Sequence, residues 1–218
     1  MGKFKAILFD FDGLMFDTEK VWRDCFFEAN KVFNLNFTDE DRMKCMGKRE
    51  QVIRDELKKE HPYVNVDQYR DWLNFKVKEH INKFGAEKKK GLDNILNYIK
   101  QEDLLTGIVS GSSKNTILQI LENGKVDESL FSSYVTSDLN LKSKPSPEPF
   151  VKCYEDLGVE AKHCVVLEDS YNGVKAGKNA GCFTIMIPDT LAVTEEMEYT
   201  ADLILNDLDE VVEFLKSN

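Results

Sequence analysis

Two short acidic clusters stand at the ends of apolar runs. Asp10 and Asp12 follow the run Ala6–Phe9 in Phe9-Asp10-Phe11-Asp12-Gly13, and Glu168-Asp169-Ser170 follows Val165-Val166-Leu167. A third run, Gly107-Ile108-Val109, ends in Ser110-Gly111-Ser112-Ser113, and Lys142-Ser143-Lys144-Pro145 precedes a helical stretch near Glu148. One acid at a strand end is ordinarily a helix cap or a solvated loop residue. Several at one sheet edge repel each other and call for a positive charge between them. A hard divalent cation with oxygen ligands meets that need, and magnesium also shares its coordination with a substrate phosphate.

The spacing assigns chemistry to each group. A carboxylate can act as a covalent nucleophile, and Asp10, ending a strand, is rigidly placed for it. Asp12, two residues on in an extended segment, points to the same side. It can protonate a leaving oxygen and later activate water against an aspartyl phosphate. Gly13 permits a sharp change of chain direction. Ser110 and the N–H of Gly111, with Ser112 nearby, suit phosphoryl oxygens, aided by the helix expected near Lys114. Which of Ser110, Ser112 and Ser113 holds the phosphate is left open by the spacing. Lys144 supplies a cation to Asp10 and to the transferring phosphoryl group, with its backbone restricted by Pro145.

These residues need a scaffold, and the pattern predicts one. Short apolar runs at Ala6–Phe9, Gly107–Val109, Tyr134–Val135, Cys164–Leu167, Phe183–Ile187 and Leu203–Leu205 suit strands buried on both faces. Between them lie apolar stripes of helical period: Leu92, Ile95, Leu96 and Ile99; Ile117, Leu118 and Leu121; Leu208, Val211, Val212 and Leu215, the last opened by an Asp207-x-x-Glu210 capping box. The alternation predicts an α/β fold with a doubly wound parallel sheet, whose ligands bind beyond the carboxyl ends of its strands. Residues 17–85 break the rhythm and read as entirely helical. Trp22, Cys25, Phe26, Ala29 and Phe33 make one stripe, and Tyr69, Trp72, Leu73, Val77, Ile81 and Phe84 another; Thr38 with Asp41 can cap a helix between them. The expected division is a core of residues 1–16 and 86–218 with an inserted all-α cap of residues 17–85.

Composition narrows the function classes. Over 218 residues, 42% are hydrophobic and 31% charged, as in ordinary globular proteins, and no apolar run approaches a membrane span. The formal net charge of −10 disfavours a nucleic-acid partner, and it requires any phosphate site to be locally positive. The opening residues lack the apolar core and cleavage site of a secretory signal, and Ala6 stands where a myristoylation motif on Gly2 wants Ser or Thr. Five cysteines without CxxC spacing read as reduced thiols, and none of the three histidines is spaced with another ligand for zinc. The expectation is a cytoplasmic monomer with no membrane partner, acting on a small phosphorylated metabolite.

Asp10-Phe11-Asp12-Gly13 followed by Asp17-Thr18-Glu19 resembles the first motif of haloacid dehalogenase superfamily phosphatases. Ser110-Gly111-Ser112 resembles the second. Lys144-Pro145-Ser146-Pro147-Glu148-Pro149-Phe150 resembles the third, and Glu168-Asp169-Ser170-Tyr171-Asn172-Gly173-Val174 the fourth. All four occur in order across most of the chain. The branch resembled carries a helical cap after the first motif and includes β-phosphoglucomutase, phosphoglycolate phosphatase and sugar-phosphate phosphatases. The resemblance implies a Mg2+ held by Asp10, the backbone carbonyl of Asp12, and Asp169, with Glu168 a ligand directly or through water. It implies substrate contacts from Glu19 and from the loop Met46-Gly47-Lys48-Arg49, where Lys48 and Arg49 either reach an anionic or sugar end of the substrate or simply open a solvated helix. Asp12 argues against a dehalogenase. Trp22 stands about where the mutases of this branch have a histidine, which favours hydrolysis through an aspartyl phosphate over the alternative, a β-phosphoglucomutase-type phosphomutase.

Overall fold

The computed structural model describes residues 4–46, 48, 50–189 and 193–217; Gly2, Gly47 and Arg49 lie outside the described residues. Six strands form one sheet, β1 (Ala6–Phe9), β2 (Leu105–Val109), β3 (Ser133–Val135), β4 (Cys164–Glu168), β5 (Phe183–Met186) and β6 (Leu203–Ile204), in the order β3-β2-β1-β4-β5-β6. Every pairing is parallel. β1 and β4 are buried at every position, which is why they read as unbroken apolar runs rather than as alternating ones. β5 and β6 each end one residue earlier than the apolar runs suggested, at Met186 and Ile204.

The chain divides into two compact units, Met1–Asp17 with Ala86–Asn218, and Thr18–Gly85. The helices α1 (Thr18–Val32), α2 (Asp39–Cys45), α3 (Glu50–Glu60) and α4 (Val66–Phe84) belong to the second; α5 (Leu92–Glu102), α6 (Lys114–Asn123), α7 (Glu148–Asp156), α8 (Tyr171–Asn179), α9 (Glu195–Thr200) and α10 (Leu208–Lys216) belong to the first. None of the described helices is long and apolar enough to cross a membrane.

In the sheet unit, α5 and α10 bury the two stripes read from the sequence. Their first turns approach closely. Gly91 is left-handed (φ 86°), and a Cβ there would lie 2.3 Å from the backbone nitrogen of Asp209, so only glycine fits. Asp207 caps α10 by accepting from the N–H groups of Asp209 (2.9 Å) and Glu210 (3.1 Å). The expected reciprocal box is not closed, because Glu210 accepts from the N–H of Asn206 instead (2.8 Å). β1 lies between β2 and β4, so the loops after these three strands emerge side by side where the strand order reverses, the usual ligand crevice of such sheets.

The helical unit packs around Tyr69, which is fully buried and meets Phe26, Phe33 and Phe37 edge-on at 6.4, 5.7 and 5.4 Å between ring centroids. Leu73, Val77 and Ile81 continue that buried face, but Phe84, at the last turn of α4, is 64% exposed. On α1 the buried set is Val21, Cys25, Phe26 and Ala29, with Trp22 only half-buried. α2 opens with a complete capping box: the N–H of Asp41 donates to Thr38 Oγ1 (3.3 Å) and the N–H of Thr38 donates to Asp41 Oδ2 (2.9 Å).

The Thr38 N–H, and then Lys44, lower the Asp41 carboxyl from its ordinary 3.8 to about 2. A depressed acid contributes stability above its unfolded value and loses it as the pH falls toward the folded one. Thr38→Ala is expected to weaken α2 by about 1 kcal/mol, read as faster amide exchange in that helix. Asp41→Asn should have its full effect at neutral pH, and the difference from the wild type should shrink as the pH drops below 3.8 toward about 2.

Candidate active site

Asp10 follows β1, and its N–H donates to Leu167 O of β4 (2.9 Å), which locks the end of β1 against its neighbour. The residue is buried, at 8% exposure. The ammonium of Lys144 makes an ion pair with Asp10 Oδ1, donates to Glu168 Oε1 (2.5 Å), and donates to the carbonyl of Val109 (2.9 Å), which ends β2. All three donors of the lysine are used. One cation thus ties the ends of β1, β2 and β4 together. The Lys144–Pro145 peptide bond is cis.

Glu168 is fully buried. Its second oxygen accepts from the N–H (3.0 Å) and hydroxyl (2.9 Å) of Ser170, which also caps α8 by accepting from the N–H of Gly173 (3.1 Å). A Cβ on Gly173 would lie 1.8 Å from the Glu168 carboxyl carbon, so the first turn of α8 presses on this acid. With both oxygens occupied by Lys144 and Ser170, Glu168 is the anchor of the lysine. The resemblance also implies a cation-ligand role for it, directly or through water. Asp169, the next residue, points the other way and lies over Gly13: a Cβ there would meet Asp169 Oδ2 at 2.3 Å. Gly13 takes the left-handed conformation (φ 82°) that the turn requires.

Asp12 is held from the β2 side. The hydroxyls of Ser110 (2.9 Å) and Ser112 (2.8 Å) both donate to its Oδ2, and Ser110 Oγ accepts from the N–H of Ser112 (2.9 Å). Ser113 is set apart from this group. It caps α6, accepting from the N–H of Thr116 (3.2 Å), while Asp138 takes the N–H of Lys114 (2.7 Å). Part of the N-terminus of α6 expected to assist phosphate is therefore already satisfied by the protein. Gly111 is exposed, and nothing lies within 4 Å of where its Cβ would stand.

The electrostatics follow from this crowding. Burial, then repulsion from Glu168 and Asp12, push the Asp10 carboxyl well above the ordinary range against the attraction of Lys144. Burial and the charges of Asp10 and Glu168 likewise push Asp169 up. For Lys144 burial acts downward, but Asp10 and Glu168 outweigh it and hold the ammonium above its ordinary value. The acids outnumber the lysine.

The structure brings Asp10, Asp12, Ser110, Ser112, Lys144, Glu168 and Asp169 to one edge of the sheet unit. Of the residues expected to reach substrate from the helical unit, Glu19 and Lys48 have protein partners there. Glu19 accepts from the buried Arg42 (3.3 Å), and Lys48 pairs with Glu56 (2.6 Å). Arg49 lies outside the described residues. The sequence reading passed over Lys89 and Asp189, an ion pair (2.5 Å) whose acid also lies against Gly13. Asp189 follows β5, so the strand-end rule applied one strand further would have reached it.

Removing Lys144 leaves two buried acids facing each other. Lys144→Met is expected to destabilise the protein by about 3–5 kcal/mol, and Lys144→Met with Glu168→Gln to recover part of that, both read by denaturant unfolding. Unchanged stability in the single variant would mean that the two acids are already neutral.

A family model of haloacid dehalogenase-like hydrolases matches residues 7–187. The pyrophosphatase PpaX of Oceanobacillus iheyensis is 24% identical over 95% of each chain. Hexitol phosphatase B of Escherichia coli strain K12 is 25% identical over 94% of this chain and 93% of its own. Among solved structures, a candidate β-phosphoglucomutase of Thermotoga maritima matches with a TM-score of 0.81 at 22% identity, covering 98% of this chain and 99% of its own, a likeness of fold. The family match takes in Asp10, Ser110, Lys144 and Asp169 alike, and the chain belongs to the haloacid dehalogenase-like hydrolases.

Proposed function

We propose that the chain is a magnesium-dependent phosphatase that hydrolyses a small phosphate monoester, a sugar phosphate or related metabolite, through an aspartyl phosphate on Asp10. The carrying observation is the bridge from Lys144 to Asp10 and Glu168, with Asp12 held beside it by two hydroxyls. The likeness to hexitol phosphatase B supports the substrate class.

The residues fit a hard cation. Asp169 accepts no hydrogen bond from any described residue, and burial and neighbouring acids oppose its charge and that of Asp10. Among the described residues no three acidic, histidine or cysteine side chains form a ready metal cage. A magnesium site takes one or two carboxylates and completes its shell with water and phosphate. The Asp10 and Asp169 carboxylates and the Asp12 carbonyl would hold the ion. When bound, it supplies charge stabilisation to the phosphoryl oxygens.

Asp10 attacks phosphorus while the bond to the leaving oxygen breaks, and Asp12 delivers its proton to that oxygen. Asp12, now a carboxylate, takes a proton from water as the water attacks the aspartyl phosphate. The bond between phosphorus and the Asp10 oxygen breaks, phosphate leaves, and both acids return to their starting states. Ser110 and Ser112 orient Asp12 between the two steps. Lys144 orients Asp10 and offsets charge on the phosphoryl group.

Phosphate release should be measured over a panel of phosphorylated metabolites, with magnesium and with chelator. Selective turnover is expected, abolished by chelator and lowered more than about a thousandfold in Asp10→Asn. Retained turnover in Asp10→Asn would overturn the covalent route. Interconversion of hexose phosphates on priming with a bisphosphate, with no net phosphate release, would make the chain a mutase.

A further inference from the structure

We propose that Phe150 is a positioning residue for the reaction: the face of its ring holds the Lys144 ammonium by cation–π attraction, where the lysine must serve Asp10 and the phosphoryl group in turn. The inference rests on the phosphatase reading above and carries the site beneath Lys144 into the core of the sheet unit.

Phe150 lies in the first turn of α7 and is fully buried. It packs with Leu8 of β1, Val109 of β2 and Val135 of β3 in one apolar cluster, so the sheet fixes the ring. The segment before it folds back on itself. The N–H of Lys142 donates to Glu148 Oε2 (3.0 Å), that of Ser146 to Ser143 O (3.1 Å), and that of Glu148 to Ser146 Oγ (3.3 Å). Lys144 is carried by this folded segment, and its Nζ stands over the Phe150 ring, 5.0 Å from the centroid.

Core packing alone accounts for an apolar residue here, and a leucine or methionine would serve it. It does not account for an ammonium set against that residue. Only 16% of the Lys144 side chain is exposed, and withdrawing a cation from water against a saturated side chain is costly. An aromatic face carries negative charge density and offsets that cost. This support differs in kind from the lysine's hydrogen bonds to Asp10, Val109 O and Glu168, which are directional. Glu168 and Val109 keep theirs throughout. The bond to Asp10 weakens as that carboxylate becomes an acyl phosphate and charge moves to the phosphoryl oxygens. Attraction to a ring face changes little as the ammonium turns from one to the other, and the ring competes for no proton. It keeps the cation in place through the step in which its anionic partner changes.

The test replaces Phe150 by mono-, di- and trifluorinated phenylalanine, with Phe150→Leu for comparison. Fluorine withdraws charge from the ring face and leaves its shape almost unchanged. Denaturant unfolding and magnesium-dependent turnover of p-nitrophenyl phosphate are measured for each. Stability and kcat are expected to fall together, step by step with each fluorine. In Phe150→Leu kcat should drop by about ten- to a hundredfold with KM little changed. In a Lys144→Met, Glu168→Gln background the fluorines should leave stability unaltered, because the cation they act on is gone. If stability falls along the series while kcat holds at the wild-type value, the contact is structural and the positioning role is overturned. If neither falls, the ring is core packing and the inference fails. If the wild type releases no phosphate from this ester or from the metabolite panel, the phosphatase reading fails, and the positioning role with it.

Discussion

The ammonium of Lys144 is the group on which the rest of the site depends. Two acids, Asp10 and Glu168, stand at adjacent strand ends and are buried, and neither has another cation in contact among the described residues. Taking a charge out of water costs several kcal/mol after relaxation, roughly, and a paired charge recovers it only when the remaining donors and acceptors are satisfied. Here they are satisfied on the Glu168 side, by Lys144 and Ser170. On the Asp10 side they are left partly open. That asymmetry gives Glu168 the character of a fixed support and leaves Asp10 with an oxygen available for chemistry.

The fold supplies the closeness that this pairing needs. β1 lies between β2 and β4, so three loops converge without any long excursion of the chain. Gly173 lets the first turn of α8 rest on Glu168, and Gly13 lets Asp169 lie against the turn after Asp12. A side chain at either glycine would push out of place the acid that lies against it. Ser110 and Ser112 then hold Asp12 on the far side of Asp10 from the Glu168 anchor. The site is a set of acids kept apart in function by their different neighbours.

The strands were legible because a parallel sheet buried on both faces leaves apolar runs, and the acids were legible because they interrupt those runs at the ends. The separate duties of Glu168 and Asp169 were harder to read. Alternation along an extended segment turns successive side chains to opposite sides, but only the packing of Ser170 and α8 decides which side meets Lys144. Periodicity named Tyr69, Leu73, Val77 and Ile81 correctly as core and failed at Phe84, where the last turn of α4 runs beyond what can cover it. Glu19 is expected at the substrate, and Lys48 either there or at a solvated helix start; each has an oppositely charged partner within its own unit, Arg42 and Glu56. Such pairings between charges distant in sequence carry no periodic signal.

The central claim is that Asp10, poised by Lys144, becomes covalently phosphorylated. The most direct measurement is acid quenching of the enzyme during turnover, borohydride reduction, and peptide sequencing by mass spectrometry. Reduction converts an acyl phosphate of aspartate to homoserine. The account predicts homoserine at position 10, formed only when substrate and magnesium are present. Active turnover with an unmodified Asp10 under every quench time would contradict it, and would leave water activated by Asp12 as the direct attacker.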